Sequence, residues 1–93
     1  MNKKKLQIAR KKIDQLDKKI LYLIKKRTEI IKYMLSLKIF KKQIVDHKRI
    51  KMVLKDIKKR SVQHSIDPKI TNHIWRAIIG SSIDYEKRNF KKR

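Results

Sequence analysis

Apolar residues recur through the first part of this chain at the three- and four-residue spacing of a helix buried on one side: Leu6, Ile13, Leu16, Ile20, Leu23, Ile24, Ile30, Ile31, Met34 and Leu37. No Gly or Pro interrupts the stretch, so one long helix is predicted over about residues 6–40. From Ile39 to Val45 the period fails, which predicts a connecting loop. Asp46 is placed to cap a second helix over about 47–61, with Ile50, Met52, Val53, Leu54 and Ile57 on its apolar side. Ser61 to Ile66 reads as a polar joint. Asp67 followed by Pro68 is a strong helix start, an N-cap residue and then a proline where no N–H is needed. The third helix is predicted over about 68–90, with Ile70, Ile74, Ala77, Ile78, Ser82, Tyr85 and Glu86 on or near one stripe. Residues 1–5 and 87–93 read as basic, frayed ends. The fold class that follows is all-α, a single domain over 1–93 with one long, one short and one medium helix.

The long helix carries a consequence of its own. About 35 residues span roughly 50 Å, whereas a compact domain of this size has a radius of gyration near ~12 Å. One copy cannot cover such an element, and nothing in it favours a break. An obligate dimer is expected, two chains intertwining so that each supplies the other's missing neighbour.

Three cations interrupt the stripe: Arg10, Arg27 and Lys38. At about 100° per residue, Arg27 and Lys38 point within about 20° of each other, roughly 16 Å apart along the axis, while Arg10 lies about 100° round from Arg27. Cations aimed into an apolar groove are expensive to bury without an anion to receive them. The helix is therefore both scaffold and half of a binding site. Arg49, three residues after Asp46, sits in the first turn of the second helix, where it opposes the macrodipole unless an anion is near. Ser82 and Glu86 share a face at i, i+4, on the stripe that continues Ile74 and Ile78, so the carboxylate is expected to turn inward.

Composition changes this picture less than its loudest number suggests. The formal charge is +21, which would attract polyanions and keeps a basic, nucleic-acid-binding helical dimer as one reading. Yet the surplus comes from 22 Lys against 7 Arg, beside 16 Ile, the pattern of an AT-rich coding bias. The lysines are spread along every helix, and no aromatic residues alternate with them as a stacking platform would require. A bare coiled-coil module would keep its seam apolar, without Arg27 and Lys38 inside it. The absence of Cys excludes disulfides and thiolate metal sites, and His47, His64 and His73 show no ligand spacing, so no metal is expected. No unbroken apolar run resembles a signal or a membrane span, and a cytoplasmic protein is expected. Nothing assembles a Ser/His/Asp triad or a Gly-rich phosphate loop, and eight acids among 29 bases leave few general bases. What remains is a site that acts by fixed electrostatics on an anionic small molecule.

Arg10-x-x-Ile13, Ile13-Asp14-x-Leu16-Asp17, Arg27, Lys38, Asp46-x-x-Arg49 and the pair Ser82 and Glu86, in this order and spacing, resemble the AroQ-type, all-helical chorismate mutases. The resemblance runs from Leu6 to Glu86. The opening motif alone is weak, because any amphipathic helix can show it; seven polar positions in register over three helices are far more specific. It implies two intertwined chains of three helices around a shared long first helix, with two equivalent sites. It also implies roles. Arg10 would reach across from the partner chain and, with Arg27, clamp the two carboxylates of chorismate, for which forked guanidinium groups are well shaped. Lys38 and Glu86 would donate hydrogen bonds to the ether oxygen that gains negative charge as its bond breaks, making Lys38, Glu86 and Arg27 the catalytic set. Asp46, Arg49 and Ser82 would position the ring, the loop and a carboxylate. The reaction implied is the intramolecular rearrangement of chorismate to prephenate in aromatic amino acid biosynthesis, which needs no nucleophile, metal or cofactor.

The chain departs from that family's pattern in three places. The residue after Arg49 is commonly Glu in the mutases, where it would contact the ring hydroxyl; here it is Ile50. Many members have Gln where this chain has Glu86, and a carboxyl group donates a hydrogen bond only when protonated, so a rate favouring acidic pH is expected. The loop between Lys38 and Arg49 is one residue shorter than usual and lacks the common Gly and Pro. Isochorismate-pyruvate lyases resemble the same fold, also carry an apolar residue after the loop arginine and have a similarly short loop, although they usually keep Gln at the Glu86 position. They are the alternative reading.

Overall fold

The computed structural model of the chain describes residues 2–91. Among them it holds α1 (Lys3–Leu37), a short 3-10 turn (Lys41–Gln43), α2 (His47–Gln63) and α3 (Pro68–Asn89), and no strand. The chain is all-α.

Each helix end has a local cause. α1 begins three residues earlier than its apolar period predicts, because Asn2 caps it: the Asn2 side-chain oxygen accepts from the Lys5 amide at 3.0 Å. The basic start is thus helical from Lys3 onward, while Met1, Lys92 and Arg93 of the basic ends lie outside the described residues. α1 also ends three residues early, at Leu37, although no Gly or Pro stops it. There the amides of Ile39 and Phe40 both donate to the side-chain oxygen of Gln43, at 2.8 Å each, and leave the helical path.

The two later helices begin where the cap residues place them. The Asp46 carboxylate accepts from the Arg49 amide at 3.0 Å, and the Asp67 carboxylate accepts from the Lys69 amide at 2.9 Å with Pro68 opening the helix. α2 runs on to Gln63, through the first half of the expected polar joint. It closes in a left-handed C-terminal turn in which Ile66 N–H donates to Ser61 O (2.8 Å) and Ser65 N–H donates to Val62 O (3.2 Å). Ser65 takes the position usually held by glycine, with φ of 57°. α3 reaches Asn89, so Lys87 and Arg88 are helical, and they complement the negative end of its dipole.

Residues up to Ile31 and residues from Lys32 onward form two separate compact units. In the first, none of α1's residues is buried, and Ile13, Leu16, Ile20 and Leu23 are each more than half exposed. In the second, α2 and α3 pack against each other. Val53, Leu54 and Ile57 of α2 and Trp75, Ile78, Ile79 and Ile83 of α3 are half-buried there. Met52, Ile70 and Ile74, expected on the packed stripes, are exposed, as is Ala77. The covered face of α3 instead runs through Thr71, Trp75, Ile78, Ser82 and Glu86 at the same three- and four-residue spacing. Its first member explains the shift. Thr71 and Ser61 are both buried and their hydroxyls meet at 2.7 Å across the α2–α3 joint, while Ser61 also donates to the Ile57 carbonyl at 2.6 Å. Two hydroxyls that satisfy each other can be buried without the penalty of an unpaired group.

Candidate active site

Lys38 is the first residue beyond α1, and Glu86 lies near the end of α3. The Lys38 ammonium donates to both oxygens of the Glu86 carboxylate, at 3.0 Å to Oε1 and 2.8 Å to Oε2. The two side chains are 17% and 4% exposed. Charged groups so removed from water are tolerated when each satisfies the other, and such a pair is destabilised when one member is lost. Two further ion pairs are different in kind. Arg60 with Asp56 and Arg88 with Asp84 are i, i+4 pairs on helix surfaces, at least half exposed, where the solvent screens them.

The neighbouring polar positions are built locally. Ser82 stands one turn before Glu86, half-buried, its hydroxyl donating to the Ile78 carbonyl at 3.0 Å. Asp46 and Arg49 are exposed at the start of α2, joined through the cap bond from the Arg49 amide to the Asp46 carboxylate. The bond comes from the backbone amide of Arg49, and a carboxylate at a helix N-terminus complements the positive end of the dipole. Ile50 follows, half-buried. Lys38, Asp46, Arg49, Ser82 and Glu86 all belong to the second unit.

Arg27 and Arg10 belong to the first. Arg27 is half-buried on α1, and burial lowers the pKa of its guanidinium below the ordinary arginine value. It remains a cation at neutral pH. Arg10 is exposed on the same helix.

Chemically, the second unit offers a half-buried ammonium facing a buried carboxyl group. Lys38 can stabilise negative charge that develops on a bound molecule, and Glu86 can accept a hydrogen bond when ionised or donate one when protonated. Among the described residues no group of three or more His, Cys, Asp or Glu is placed to hold a metal ion. His47, His64 and His73 are exposed. No helix among these residues is long and apolar enough to cross a membrane.

Sequence reasoning did not single out Gln43, the buried Ile44 beside it, or the hydroxyl pair of Ser61 and Thr71. Ser61 was legible in one respect: it falls one turn beyond Ile57, on the apolar face of α2. Gln43 had a fainter signal, as an uncharged residue in a connection that has neither Gly nor Pro to turn it.

A family model described as chorismate mutase type II matches residues 9–87. That span opens one residue before Arg10 and closes one residue after Glu86. No curated protein and no solved structure matches the chain.

Proposed function

The chain belongs to the chorismate mutase type II family, and from that premise we propose that it rearranges chorismate to prephenate as an intertwined homodimer. The observation that carries this reading is the pair formed by the half-buried Lys38 and the buried Glu86. In the rearrangement the ether C–O bond breaks while a C–C bond forms within the same molecule, and electron density gathers on the ether oxygen before the new bond is complete. Lys38 donates to that oxygen. Glu86 donates to it as well when protonated. Arg27 and Arg10 of the partner subunit take the two substrate carboxylates, holding the chair-like conformer in which the reacting carbons approach. Asp46, Arg49 and Ser82 position the ring, the loop and a carboxylate. No cofactor takes part.

The uncovered apolar stripe of α1 supports the dimer. Leu6, Ile13, Leu16, Ile20, Leu23 and Ile24 are all exposed in the single chain, a contiguous apolar surface of the sort that a second subunit covers.

One observation favours a second reading on the same fold. The half-buried residue after Arg49 is Ile50, where mutases commonly carry a Glu that contacts the ring hydroxyl. An isochorismate-pyruvate lyase, whose substrate bears its hydroxyl elsewhere on the ring, has less need of that Glu. Incubating the purified chain with chorismate and with isochorismate separately tests both. Prephenate from chorismate is the expected result. Pyruvate from isochorismate with no prephenate from chorismate would reverse the assignment to the lyase, and inactivity on both would end the enzyme reading.

A further inference from the structure

We propose that Gln43 is a positioning residue that sets the place of Lys38, an inference that rests on the role given to Lys38 above. If α1 continued, the amides of Ile39 and Phe40 would donate to the carbonyls of Leu35 and Ser36, four residues back. Both donate to Gln43 Oε1 instead, at 2.8 Å each. Because both partners are N–H donors, the atom facing them is the amide oxygen, whose two lone pairs suit two bonds. The capture is reciprocal. Gln43 N–H donates to Phe40 O at 3.0 Å and Ile44 N–H to Lys41 O at 3.1 Å, so residues 39–44 close on themselves. Ile44, only 5% exposed, pegs the closed turn into the packed interior of its unit.

The effect falls on the residue just before the captured amides. Lys38 N–H still donates to Leu35 O at 3.1 Å, which tightens the last turn of α1, and the chain departs from the helix immediately afterwards. The ammonium of Lys38, one residue before this departure, meets the Glu86 carboxylate on α3 at 3.0 and 2.8 Å. With no Gly or Pro between Lys38 and Asp46, the Gln43 side chain supplies the stop.

Two variants test the inference, Gln43→Met, which keeps the length but loses the acceptor, and Gln43→Glu, which keeps an oxygen that accepts both amides. With chorismate as substrate, Gln43→Met should lower kcat about fivefold at nearly unchanged KM, the size expected for one or two solvent-exposed hydrogen bonds. Gln43→Glu should restore kcat. A kcat for Gln43→Met equal to that of the unaltered chain, or a loss that Gln43→Glu does not restore, would overturn the inference. The NMR signals of the Lys38 ammonium and the Glu86 carboxyl carbon give a readout that needs no turnover. They should move in Gln43→Met and return in Gln43→Glu; signals unmoved in Gln43→Met would overturn the positioning role. An unaltered chain inactive on chorismate would sink the mutase reading, while these signals would still decide whether Gln43 places Lys38.

Discussion

Residues 2–31 and residues 32–91 treat burial in opposite ways. Along the first stretch a helix carries its apolar stripe uncovered, and no position of α1 is buried. In the second, three of the four buried residues are polar, Ser61, Thr71 and Glu86, beside Ile44 alone. The contrast is instructive because the two kinds of burial select for different things. Apolar contact is non-directional and accepts any complementary apolar face, so it suits association. A buried polar atom is tolerated only with a partner at one distance and angle, so it suits a site. The first region leaves apolar surface open, and the second fixes polar groups against one another.

The contrast breaks most sharply at Lys38. Lys38→Met should leave the Glu86 carboxyl group buried without its cation and remove one donor to the ether oxygen, lowering kcat by about 10²–10³. Prephenate formation under saturating substrate measures this. A kcat within tenfold of the unaltered chain would reduce the pair to a structural role. The next largest effect is expected on the apolar side. At a surface that faces only water, Ile20→Glu should shift stability by no more than about 0.5 kcal/mol. At a subunit interface it should raise the dissociation constant of the dimer by about a hundredfold, from the lost burial of one large aliphatic side chain. Sedimentation equilibrium reads the difference, and an unaltered chain that sediments as a monomer would remove the dimer altogether.

A smaller change sharpens the polar side. Ionised Glu86 can only accept, as it does from Lys38, whereas protonated Glu86 can donate to the ether oxygen. A rate that relies on Glu86 as a donor should therefore be favoured by acidic pH. Glu86→Gln, whose amide donates at every pH, should flatten that profile. A flat profile in the unaltered chain would remove the donor role from Glu86.

Much of the fold was legible in the residues themselves. The pairs Asp46 before His47 and Asp67 before Pro68 located two helix starts to the residue, because a cap is a local bond between a side chain and an amide two or three positions on. The ends were less legible. α1 stops at Leu37 through a Gln43 side chain six residues away, and α2 runs through Ser61 because that hydroxyl has a partner on α3. Ile70 and Ile74 illustrate the same limit. Their spacing is that of a buried stripe, yet the covered face begins one residue later, at Thr71, where the hydroxyl contact sets the rotation of α3.

Helical periodicity, the cap residues and the two breaks in the apolar pattern were all properties of the linear chain, since each depends on neighbours within a few residues, and the order of the seven polar positions could be read directly along it. The meeting of Lys38 and Glu86, 48 positions apart, was no such local property and was implied only by the family resemblance. A single helix face says that a carboxylate turns inward; only the packing of α3 and the turn closed by Gln43 decide which cation it meets there. Bonds between distant residues depend on both of their surroundings at once, and no spacing along the chain encodes that.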